Sequence, residues 1–263
     1  MRLKKRTTSR SPGSARKLPP GHRRTMLRST FLHLPGVGPV RERRLWADGV
    51  RTWDDLIAQA PDSLLGQAAA ESCQRWAAGD WNYFDRQLPA AEKWRAFADF
   101  QERALYLDIE TDGTDYITVI GTFDGSQTRL FVAERDLEAA CAHIEDYPMV
   151  VTYNGALFDL PVIRKRFRYH LFNHIHLDLR YPLHRLGYKG GLKRVEQQLG
   201  IVRSEETQGV DGWAAVHLWH RWRAGDERAG RQLLAYNEED TRNLQPLAQL
   251  VWQKMSGQTK VGP

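Results

Sequence analysis

The chain has 263 residues, 41% of them hydrophobic and 10% aromatic, enough to build a core for one large domain or for a small and a medium one. Its two cysteines, Cys73 and Cys141, form no C-x-x-C pair, which excludes a zinc ribbon or a disulfide framework and makes a reducing, cytoplasmic setting the expectation. The net charge of +6 is uneven: residues 1–30 hold ten Lys or Arg and no acid, leaving 28 basic against 32 acidic residues elsewhere, a balance of −4. No apolar run approaches the ~18 residues of a membrane span, and no apolar stretch follows the basic N-terminus, so neither a transmembrane helix nor a secretory signal is expected.

Residues 1–24 are rich in Ser, Pro, Gly and Arg without apolar periodicity, which predicts a disordered basic tail, either simply solvated or a phosphate-seeking tether. From Thr25 the pattern changes, and residues 25–100 read as a small all-helical module. Met26, Leu27, Phe31 and Leu32 predict a short helix, and Gly36-Val37-Gly38-Pro39 predicts a tight hairpin with Pro39 in the first turn of the next helix. N–H groups at that helix start can hold a phosphate, with Gly36, Gly38 and Arg41 as the candidate contacts. Further on, Trp76, Trp81, Phe84, Trp94, Phe97 and Phe100 fall at near-helical spacing, which favours core packing over base stacking.

Residues 101–256 form the main unit. Strands are predicted at 104–111, 117–123, 128–133, 149–153 and 175–179, with Asp112-Gly113 and Asp124-Gly125 as turns. Asp136 is expected to cap a helix over 137–144, and Asp159 to open one over 160–167. Helices are predicted near 191–199, 211–223 and 227–254. A three-strand meander followed by alternating strands and helices is an α/β arrangement: a mixed five-stranded sheet flanked by helices.

The first strand carries the chemistry. Asp108 and Glu110 are spaced i, i+2, so they point to one face of an apolar, central strand. Two ionised acids there are costly unless a divalent cation joins them, and hard oxygen ligands suit Mg²⁺ or Mn²⁺. The alternative is a strand end whose acids reach solvent. Asp159 stands at a helix start, where it is either a cap or a further ligand. Tyr236 and Asp240 are four apart and share a helix face. Glu238 and Glu239 beside Asp240 leave the register of that acid open.

Together, D-x-E at Asp108 and Glu110, N-x-x-x-F-D at Asn154, Phe158 and Asp159, and Y-x-x-x-D at Tyr236 and Asp240 resemble the DEDD 3′–5′ exonuclease superfamily, in its tyrosine subgroup. The match is similar to the proofreading domains of family B DNA polymerases. It looks closest to bacterial ribonuclease H-like proteins with an N-terminal helix–hairpin–helix segment. The resemblance implies a ribonuclease H-like fold and a two-metal exonuclease acting on single-stranded DNA or RNA. It implies that Asp108 bridges two Mg²⁺ or Mn²⁺ ions, that Glu110 and Asp240 complete the site of the attacking water, and that Asp159 helps hold the second ion. Tyr236 would orient that water, and Thr111, Asn154 and Phe158 would contact the terminal nucleotide. The competing readings are a non-catalytic nucleic-acid-binding protein and a structure-selective endonuclease. His174, His176 and Asp178 share a strand face but have no evident fourth ligand, so a metal cluster there is not favoured. Lys189, Lys193 and Arg194 around Gly190-Gly191 face either phosphate or solvent. There is no P-loop, so ATP-driven movement is unsupported.

Overall fold

The computed structural model describes residues 26–168 and 173–259; the basic tail over 1–24 lies outside the described residues. Apolar alternation places the central sheet. Strands β1 (Ala104–Thr111), β2 (Ile117–Phe123), β3 (Thr128–Val132), β4 (Met149–Thr152) and β5 (Ile175–Asp178) lie in the order β3-β2-β1-β4-β5. The meander β1–β3 is antiparallel, whereas β1 pairs with β4, and β4 with β5, in parallel. This is the mixed ribonuclease H-like sheet that the sequence predicts.

Period-2 alternation on β1 sorts its side chains between two cores. Leu105, Leu107 and Ile109 pack with Leu137, Ala140, Ile144, Val162 and Ile163. Those partners come from the segment holding α6 (Ala139–Glu145) and from α7 (Asp159–Phe167). Tyr106, of the opposite parity, packs with Phe123, Leu244 and Leu247. Asp108 and Glu110 share the parity of Tyr106, so they face the long helix α11 (Glu227–Thr259). That helix continues through Pro246, which has no N–H to donate.

Before the sheet come α1 (Pro39–Ala47), α2 (Trp53–Gln59), α3 (Leu64–Ala77), α4 (Trp81–Gln87), a 3₁₀ helix over Ala90–Ala96 and the short α5 (Phe97–Phe100). Local chemistry sets their starts. Pro39 occupies the first turn of α1, and Thr52 and Asp55 form a reciprocal capping box on α2. Ser63 and Asp80 cap α3 and α4. The aromatics here are core: Trp53 stacks on Phe84 with ring centroids 5.4 Å apart, and Trp81 meets Phe100 edge-on at 4.9 Å. One apolar cluster runs without a break from Leu27 and Phe31 through Trp94 and Met149 to Val251 and Met255. The helical segment and the sheet therefore share a core.

After β5, α8 (Arg180–Arg185), α9 (Leu192–Gln198) and α10 (Gly212–Arg223) lead to α11. The structure corrects two local expectations. Asp136 does not cap α6; its carboxylate accepts the Val132 N–H at 2.8 Å and closes the turn after β3, so the helix starts later, at Ala139. Helix α8 is not evident from the sequence, because Pro182 interrupts a six-residue stretch too short for periodicity. No helix among the described residues is long and apolar enough to cross a membrane.

Candidate active site

The face of β1 turned toward α11 carries the acids. One ligand oxygen from each of Asp108, Glu110 and Asp240 lies within 4.8 Å of the other two. Asp240 reaches them because it stands one turn beyond Tyr236 on α11. The neighbouring glutamates are engaged elsewhere. Glu239 accepts from the Ser204 N–H at 2.8 Å and from the Thr207 hydroxyl, and Glu238 pairs with Arg242. Asp159, in the first turn of α7, accepts the Ile109 N–H at 3.2 Å, which brings it against the same strand.

Burial makes this cluster electrostatically expensive. Glu110, Asp159 and Asp240 are 8%, 3% and 5% exposed, while Asp108 is partly open. Burial, followed by the charges of Asp159, Asp240 and Glu110, holds the Asp108 carboxyl well above the ordinary range. Burial and then the nearby Asp240 push Glu110 up to about 8. Asp159 is raised to about 7, again mainly by burial. Asp240 is also raised by burial, an effect that Arg203 opposes. Four such acids close together fit a divalent cation: the donors are hard carboxylate oxygens, and bound positive charge removes the cost of ionising them.

Three residues that the sequence did not assign to this site belong to its surroundings. Asn237, next to Tyr236, donates to Asp108 Oδ2 at 2.9 Å. Its close approach requires Gly121, the β2 partner of Asp108, where an added Cβ would lie 2.0 Å from Asn237 Oδ1. Lys193, read from sequence only as a phosphate or solvent contact, donates to the Tyr236 hydroxyl at 2.8 Å, with its ammonium 4.2 Å from the ring centroid. Arg203 pairs with both Asp240 and Glu196. The Tyr236 hydroxyl is held firmly protonated, first by burial and then by Asp240. No sequence signal marks Arg203 or Asn237; each is placed by a tertiary contact.

The weaker candidates scatter. Asn154 adopts a left-handed backbone (φ 66°). Its N–H donates to Asp178 Oδ1 at 2.7 Å, and its side-chain oxygen accepts from Arg180. Phe158, just before Asp159, is 42% exposed, and Thr111 follows a β-bulge at the end of β1. Asp178 also accepts the N–H groups of Ala156 and Arg180, so it pins the loop that leads to Asp159. His176 is hydrogen-bonded to Thr152 Oγ1 at 2.8 Å, and His174, His176 and Asp178 form no metal-type group among the described residues. Gly36, Gly38 and Arg41 lie apart from the acids, at the start of α1. There Gly36 has a positive φ (69°) and its carbonyl accepts from Arg41 at 3.4 Å.

Family comparison resolves the class. Residues 105–252, 148 of the 263, match the family model of the RNase H superfamily. The chain belongs to that superfamily. Membership supports a nuclease-type function for this RNase H superfamily protein, whose kin use divalent metals. Among solved structures it resembles the family B DNA polymerase from the hyperthermophilic archaeon Pyrobaculum calidifontis, with 18% identity and a TM-score of 0.44. That likeness covers 56% of this chain and 24% of the polymerase, so the chain spans about a quarter of that protein's length. No curated protein matches it.

Proposed function

We propose that this RNase H superfamily protein is a metal-dependent 3′–5′ exonuclease of the tyrosine-type DEDD group, acting on single-stranded nucleic acid. The observation that carries the reading is the convergence of Asp108, Glu110 and Asp240 to within 4.8 Å, with Asp159 and Tyr236 beside them. Asp108, Glu110, Asp159 and Asp240 would hold Mg²⁺ or Mn²⁺. The chemistry supplied by a bound pair of such ions is acidification of the attacking water and charge relief on the leaving oxygen.

The chain's own groups do the rest. Asn237 fixes the Asp108 carboxylate by donating to one oxygen. Tyr236 remains a neutral phenol, so it orients water through its hydroxyl rather than removing a proton. Lys193 sets the direction of that hydroxyl by donating to it. Exposed Phe158, next in sequence to Asp159, offers a face for the terminal base.

Residues 25–100 act, in this reading, as a helix–hairpin–helix accessory to the exonuclease unit over 101–256, and residues 1–24 as a basic tether. A recess of about 630 Å³ at the start of α1, lined by Gly38, Pro39, Val40, Arg41, Arg44, Leu45 and Asp48, presents two arginines that support backbone binding there. Arg41→Glu with Arg44→Glu should weaken binding to single strands and flatten its salt dependence, leaving turnover on saturating substrate unchanged.

The deciding experiment incubates the protein with 5′-labelled single-stranded DNA and RNA in Mg²⁺, Mn²⁺ or EDTA. A ladder shortening from the 3′ end only when metal is present is the expected result. Internal cuts would replace the exonuclease with an endonuclease. Binding without cleavage in either metal would leave a nucleic-acid-binding protein.

A further inference from the structure

Arg203 lies in the segment between α9 and α10, far in sequence from Asp108, Glu110, Asp159 and Asp240. Its Nε donates to Glu196 Oε2 at 2.6 Å and its Nη2 to Glu196 Oε1 at 2.8 Å. The same Nη2 pairs with Asp240 Oδ1. Glu196 is itself fixed: it is 1% exposed, and Asn243 Nδ2 donates to its Oε1 at 3.0 Å. The Arg203 side chain is 9% exposed and that of Asp240 8%, so water contributes little to the arrangement.

Resting on the nuclease reading above, we propose that Arg203, clamped by Glu196, is a positioning residue that occupies one oxygen of Asp240 and leaves the other in a single preset orientation for a divalent cation. A carboxylate with both oxygens free can rotate and grip an ion with either or both. One paired with a fixed guanidinium loses much of that freedom: Nε and Nη2 lock Arg203 onto Glu196, and the Tyr236 hydroxyl acts on Asp240 as well. The group that does this is cationic, unlike most partners that orient metal ligands. It therefore opposes the charge of the ion while it orients the ligand. Arg203 thus trades metal affinity for the placement of Asp240.

That trade gives the test. Replacing Arg203 alone leaves Glu196 buried without its main partner, so the informative variants are Arg203→Lys and the double Glu196→Met with Arg203→Met, in which both charges go together. Mn²⁺ binding is read by calorimetry, Mn²⁺-dependent cleavage of single-stranded DNA by initial rates, and folding by thermal melts in EDTA. Arg203→Lys keeps the charge and loses the fork, so turnover should fall ~10-fold or more while Mn²⁺ affinity barely moves. The double variant should also lose ~10-fold or more in turnover, yet bind Mn²⁺ more tightly, because the cation nearest Asp240 is gone. Wild-type turnover in either variant would overturn the proposal. So would a double variant whose Mn²⁺ affinity and turnover fall together, the outcome for a merely structural ion pair. A wild-type protein that binds Mn²⁺ but cuts nothing would instead fail the nuclease reading, and the calorimetry alone would then decide the role of Arg203.

Discussion

Two buried ionic clusters among the described residues are built to opposite rules. In the helical segment, Arg95 bonds to Glu42 at 3.0 Å and Glu92 at 2.8 Å, while Arg185 takes the other Glu92 oxygen at 2.6 Å. The remaining Glu42 oxygen accepts from the Thr30 hydroxyl and the Phe31 N–H, both at 2.8 Å. Two cations answer two acids, and every carboxylate oxygen has a donor. At the sheet, Asp108, Glu110, Asp159, Asp240 and Glu196 meet Arg203 and Lys193: five acids against two cations among the described residues. Burial alone does not distinguish the clusters. The uncompensated negative charge does, and it is where the proposed function puts the divalent cations.

The largest test of that contrast is Asp108→Ala. Cleavage should drop by on the order of 10³-fold or more, beyond the ~10–100-fold typical of residues that merely support a ligand. The fold should survive, because one member of a like-charged group is removed. Near-wild-type cleavage would place the chemistry elsewhere. Arg95→Met is the converse: it leaves buried Glu42 without a cation and Glu92 with Arg185 alone, and should cost ~3–5 kcal/mol in urea unfolding, with turnover per folded molecule unchanged.

Third comes pH. Glu110 and Asp159, raised to about 8 and about 7, bind more protons in the folded, metal-free protein than in the unfolded chain. Their contribution is full below pH ~4, near the unfolded carboxyl values, and is lost as pH rises toward 8, by up to ~1.4 kcal/mol per pH unit for each group. Melts in EDTA should therefore weaken from pH 5 to 8, and Mn²⁺ should flatten the decline; identical profiles with and without metal would contradict a cation site. The smallest expected effect is Gly121→Ala, whose methyl would press on Asn237 and Thr241. About 1–3 kcal/mol of stability should go, accompanied by slower cleavage as Asn237 moves off Asp108.

Much of this arrangement is legible in the sequence. The strands read correctly because each is short with an apolar stretch, and Asp-Gly turns separate the first three; the i, i+2 acids of β1 and the i, i+4 pair of α11 follow from period alone. What is not legible depends on contacts between distant segments. Asn237 sits in an unremarkable acidic stretch, and only the missing side chain of Gly121 lets it reach Asp108. Arg203 lies in a charged loop whose role depends on how α9 approaches α11. His176, whose spacing with His174 and Asp178 does not favour a metal cluster, finds its partner in Thr152 on the neighbouring strand, a pairing that spacing does not show.

Helix α11 spans 33 residues, a rod of about 50 Å at ~1.5 Å per residue. Its first half carries Tyr236, Asn237 and Asp240; its second half buries Leu247, Val251 and Met255 in the apolar cluster that reaches Leu27 and Phe31. Loosening at the amino-terminal helices should therefore reach the acids through this one helix. Heat should dismantle both regions in a single cooperative step, with one calorimetric peak, and a protease that clips the early helices should silence the distant carboxylates without touching them.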